Sequence, residues 1–230
     1  MQEAFESSIH TFHATSTLSN SGRNSTVTFH LVTMAFALIP TPVHESQAKL
    51  DSFLSLINDI AEVTYANEPN NVSYCWFRKS TLDDCDGYEC CGFEVYADED
   101  ALTQTHRASA EYKRMRSVAA EDGLFMRPTD LIFLEPLCEN GFMVKESNDV
   151  RFGLPSTKDT LVVVRKYNTQ DKDAVTRLTK TLYTLAEQAA GEDGLLSFMP
   201  LKRRDGISEI SVLERYARQS PDGRRMLYWC

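Results

Sequence analysis

The chain has 230 residues, 42% of them hydrophobic and 25% charged, the proportions of an ordinary globular protein rather than a disordered or fibrous one. Its net charge of −9 argues against a nucleic-acid partner, since phosphate binders carry a basic face, and the short run Lys202-Arg203-Arg204 reads as a solvated strand end or turn. No apolar run approaches the ~20 residues that span a bilayer, and six cysteines without a secretory signal point to free thiols in a cytoplasmic, reducing setting.

Residues 7–28 hold 11 Ser or Thr in 22 positions, too little apolar surface to offset the entropy of ordering, so residues 1–27 read as a flexible leader. Thr26 to Ile39 is rich in β-branched and aromatic residues and reads as a strand that Pro40 and Pro42 end. From His44 to about Glu68 the period becomes helical, with Leu50, Phe53, Leu54, Ile57 and Ile60 recurring at three and four; Asn67-Glu68-Pro69-Asn70-Asn71 closes it. Val72–Lys79 and Tyr88–Ala97 read as two strands of an antiparallel hairpin around Asp83–Gly87. Asp98 is placed to cap a helix that runs to about Glu121, with His106, Ser109, Tyr112 and Arg116 along one stripe. Gly123 ends it and Asp130–Leu137 is a further strand, which completes a β-α-β-β-α-β unit over 28–142.

After a linker at 143–158 the order begins again. Thr160–Asn168 repeats the first strand, Asp173–Ala190 the helix, and Gly194–Leu201 with Ile207–Ala217 the hairpin, turning at Arg204-Asp205-Gly206. Leu213-Glu214-Arg215-Tyr216 aligns with Phe93-Glu94-Val95-Tyr96. A complete second copy needs one more helix and strand, and the 159–230 unit is too short for both, so the expectation is an incomplete repeat.

The run Phe93-Glu94-Val95-Tyr96-Ala97-Asp98-Glu99-Asp100-Ala101-Leu102, followed by His106, Ser109 and Tyr112, resembles the antibiotic biosynthesis monooxygenase domain of the dimeric α/β-barrel superfamily. The resemblance implies an α+β fold of tandem ferredoxin-like units, with antiparallel sheets carrying helices on one face and small-molecule pockets between sheet and helices. It implies a homodimer in the single-unit members. The activity it implies is cofactor-independent oxygenation of an aromatic or polyketide-type molecule. Haem binding and degradation, and a non-catalytic binding or assembly role, are the alternatives within the same fold.

The resemblance places a histidine at His106, where a neutral imidazole can accept a phenolic proton; Ser109 and Tyr112 share its face. Alternation puts Tyr74 and Trp76 on one face of their strand, and Glu94 and Tyr96 on one face of theirs. Together these rings would suit a flat aromatic substrate, with His106 or Glu94 as the base. Arg78 could hold an anionic group. Each has a structural alternative: a backbone-bonded histidine, core aromatics, a solvated strand-end arginine. The cysteines do not have zinc spacing, so no metal site is expected, and no phosphate loop or nucleophile elbow occurs in the sequence.

Overall fold

A computed structural model describes residues 15–16, 27–28, 36–78, 88–129, 131–138, 140–143, 160–169 and 171–217. Within the expected leader, Thr15–Ser16 pairs antiparallel with Val27–Thr28. The rest of that leader, the hairpin turn at 83–87 and most of the linker lie outside the described residues.

The first strand differs from expectation. Strand β1 (Phe36–Leu38) is followed by β2 (Val43–His44), and both lie along the same later strand. The prolines between them do not end the pairing, because a proline lacks only its N–H: the Pro40 carbonyl accepts from Gly92 N at 2.8 Å and the Pro42 carbonyl from Cys90 N at 3.3 Å. Helix α1 (Gln47–Asn67) follows, its N-terminus capped by Ser46, whose hydroxyl accepts from Lys49 N. Leu50, Phe53, Ile57, Ile60 and Thr64 form its buried stripe. Each large apolar side chain there contributes roughly 1.5–3 kcal/mol by leaving water.

Strands β3 (Asn71–Arg78) and β4 (Tyr88–Tyr96) pair as the expected antiparallel hairpin, with Tyr74 opposite Glu94 and Trp76 opposite Gly92. The expected continuous helix after β4 is instead two pieces. Asp98 Oδ1 accepts from Ala101 N at 2.6 Å, a π-helical turn spans Ala101–His106, and α2 (Ala110–Glu121) starts anew behind a Ser109 cap. The wider turn is closed by Arg107 N donating to Leu102 O, a five-residue step. Strand β5 (Phe133–Pro136) completes the unit.

The second unit contains β6 (Thr160–Asn168), α3 (Lys172–Ala189), β7 (Leu195–Arg203) and β8 (Glu209–Ala217). Asp171 caps α3 by accepting from Ala174 N at 2.7 Å, and the β7–β8 turn uses Gly206 at φ 80°, a conformation side chains resist. All eight strands form one antiparallel sheet, in the order β2-β4-β1-β5-β7-β8-β6 with β3 also on β4. The first unit therefore has the ferredoxin order β5-β1-β4-β3, and the second has β6-β8-β7. They join where β5 pairs with β7, Leu134 opposite Arg203.

The sheet curls. Val72 and Cys75 of β3 share one apolar cluster with Val162 and Val164 of β6, although these strands stand at opposite ends of the order. That cluster, with Phe93, Val95, Leu134, Leu201 and Leu213, fills the concave side. On the convex side α1 and α2 cover the first unit through Leu50, Phe53, Ile57, Tyr74 and Met115, while α3 covers the second through Leu182, Ala186, Phe198 and Ile210.

Candidate active site

Alternation along β3 and β4 turns Tyr74, Trp76, Glu94 and Tyr96 away from the curled core and toward the helices. The π-helical turn sets His106 over the same face. Its ring centroid lies 5.0 Å from that of Tyr74, 5.7 Å from Tyr96 and 5.3 Å from Tyr112. Tyr74 stands edge-on to Trp76 at 6.3 Å. His106 is 1% exposed, Tyr96 0%, Tyr74 5% and Glu94 7%; Trp76 and Tyr112 are half-buried and form the solvent-facing side.

Tyr96 Oη donates to Glu94 Oε2 at 2.9 Å. Burial holds the Glu94 carboxyl above its ordinary range, opposed by the neighbouring His106, by the Tyr96 hydrogen bond and by the charge of Arg107. Burial also pushes the Tyr74 and Tyr96 phenols well above theirs, and the Glu94 charge adds to it.

Two expected site residues are engaged elsewhere. Ser109 is the α2 cap: its hydroxyl accepts from Tyr112 N at 3.2 Å and donates to His106 O at 2.8 Å. Arg78 shares the Trp76 face of β3 but pairs on the surface with Asp51 at 2.5 Å, both half-exposed. Sequence reasoning missed Glu68, which it placed in the helix-closing segment. Its Oε2 lies 2.9 Å from His106 Nδ1, and Thr64 Oγ1 is 3.4 Å from the same nitrogen. A charged residue at the last turn of a buried helical stripe was the available signal. His106 Nε2 is buried and makes no hydrogen bond among the described residues.

A second buried histidine is structural. His44 Nδ1 donates to Leu124 O at 2.9 Å, and Nε2 meets Cys90 Sγ at 3.7 Å between Phe53 and Phe125. Burial raises the Cys90 thiol to about 12, so the pair lacks a thiolate nucleophile.

Comparison with known structures bears on the fold. A structure of a candidate monooxygenase from Lactobacillus acidophilus superposes with a TM-score of 0.60 at 13% identity, over 80% of this chain and 78% of that one. One from Fusobacterium nucleatum gives 0.58 at 16% identity, over 79% and 75%. The chain shares the fold of these two structures. No family model and no curated protein matches the sequence. A candidate antibiotic biosynthesis monooxygenase from Caulobacter crescentus aligns at 23% identity over 43% of this chain and 85% of its own, with a TM-score of 0.36. The shared fold is α+β and antiparallel, as expected, and among the described residues no helix is long and apolar enough to cross a membrane.

Proposed function

We propose that the protein is a cofactor-independent monooxygenase acting on an aromatic or polyketide-type small molecule. The observation that carries this reading is the convergence of His106, with an unoccupied Nε2, on three tyrosine rings beside the Glu94–Tyr96 pair. Rings supply stacking surface, and a buried imidazole lone pair supplies a base in a setting of low dielectric. For an anthrone-type substrate, His106 takes a proton and leaves a resonance-stabilised carbanion. Dioxygen, the oxidant, adds to that carbon as a hydroperoxide. The imidazolium returns its proton to the outer peroxide oxygen, and His106 then takes the remaining C–H proton as the O–O bond breaks and passes it to the departing hydroxide, so that CH₂ and O₂ become C=O and H₂O. In its protonated form, which burial favours, Glu94 would donate a hydrogen bond to the developing oxyanion. No organic cofactor or metal enters this scheme.

Oxygen uptake with anthrone- or hydroquinone-like substrates tests it, and no uptake with any of them overturns it. Haem degradation is the alternative chemistry, for which His106 and Trp76 are both suitable; haemin added without a Soret shift would dispose of it. The close packing that leaves His106 1% exposed favours a second reading, a non-catalytic binding module, which predicts ligand binding without oxygen uptake.

A further inference from the structure

We propose that Glu68 is the positioning residue of this site, holding His106 in the tautomer that carries its proton on Nδ1 and leaves Nε2 as the base. The catalytic consequence rests on the monooxygenase reading; the tautomer does not. Glu68 is 3% exposed and caps the C-terminus of α1. That is the negative end of the helix dipole, where a carboxylate is unfavourable and a cation or N–H donor is needed beside it. A residue that costs stability in its own helix is a candidate for a role outside it.

The contacts define that role. Oε2 of Glu68 takes His106 Nδ1 at 2.9 Å and the Asn71 side-chain amide at 3.4 Å. Oε2 already accepts from the Asn71 amide and acts as an acceptor toward the ring as well, so Nδ1 is the donor. A neutral imidazole has one N–H, so the lone pair falls on Nε2, the buried nitrogen that makes no hydrogen bond among the described residues. Leaving that acceptor unsatisfied is unfavourable until a substrate hydroxyl or acidic C–H reaches it. The dyad joins residues 38 positions apart, the end of α1 and the π-helical turn, so the orientation of the ring is set by the packing of two elements. Replacing Glu68 by Gln lets the side-chain amide either accept from Nδ1 or donate to it, and the second arrangement moves the proton to Nε2.

The test is ¹⁵N NMR of the histidine-labelled full chain, with His106 assigned from the spectrum of His106→Ala, at a pH where the imidazole is neutral. The expected result is a protonated-type Nδ1 shift and an unprotonated-type Nε2 shift in the wild type, with the other tautomer appearing in Glu68→Gln. A wild-type Nε2 that carries the proton overturns the proposal, as does an unchanged tautomer in a folded Glu68→Gln. The wild-type spectrum decides the matter even if the variant does not fold. Where oxygen uptake is present, Glu68→Gln lowers kcat by about 10²-fold with little change in KM. Uptake absent from the wild type would overturn the monooxygenase reading and leave the tautomer assignment standing.

Discussion

Tyr96 donates a 2.9 Å hydrogen bond to Glu94, two residues back on the same strand face. The second unit repeats it, with Tyr216 donating to Glu214 at 2.7 Å. The neighbours differ. Glu214 is met by Arg165 Nε at 3.0 Å, whereas Glu94 lies near His106 under the helices. Both carboxyls are buried, so the same strand motif serves an ion pair with an arginine in one unit and stands beside a histidine in the other.

The raised Glu94 carboxyl predicts a pH dependence of stability. The folded state holds this proton more tightly than the unfolded chain, whose carboxyl titrates near its ordinary 4.5. The contribution is therefore fully present below that pH and is lost as pH rises through the folded value. Glu94→Gln removes the loss while keeping an acceptor for Tyr96. Thermal unfolding of the two proteins should show the variant gaining on the wild type between pH 4 and pH 8; a constant difference across that range would contradict the burial argument.

At Gly92, in the middle of β4, a side chain has no room. A Cβ there would stand 2.9 Å from Pro40 Cγ and from the Trp76 ring, and both neighbours are rigid. Gly92→Ala should lower stability by about 1–3 kcal/mol, which corresponds to a Tm loss of about 2–4 °C per kcal/mol in a chain of this size. The same displacement should alter Trp76 fluorescence. An unchanged Tm and emission spectrum would show that the ring does not lie over this strand.

Burial should silence the core thiols. Cys75 and Cys90 are 5% and 1% exposed, and burial raises the Cys90 and Cys91 thiols to about 12 and about 11. Peptide mapping after alkylation at pH 8 should find Cys75 and Cys90 unmodified in the native protein and modified in denaturant. Native labelling of Cys90 would contradict the packing around His44.

Much of this was legible in the sequence because strands alternate. The pairs Tyr74/Trp76 and Glu94/Tyr96 follow from a period of two, and the hairpin register set Tyr74 opposite Glu94. The repeat was legible through Glu-x-Tyr and the order of elements. His106 was legible through family resemblance, but the helical stripe expected through Ser109 and Tyr112 is interrupted by a π-helical turn and a fresh cap. Ser109 was drawn into that cap, for which Glu111 in the first turn of α2 was the local sign. Glu68 and Arg78 depend on partners 38 and 27 residues away, and no local period encodes such pairings. The prolines misled because their missing N–H suggests a strand end, while their carbonyls continue the ladder.

The central claim is that His106 acts as the base that opens a bound aromatic substrate to dioxygen. Oxygen consumption by the wild type and by His106→Ala, with the same anthrone- or hydroquinone-like substrate, tests it most directly. The account predicts turnover in the wild type and a kcat about 10²–10⁴-fold lower in the variant. Undiminished turnover in His106→Ala would contradict it.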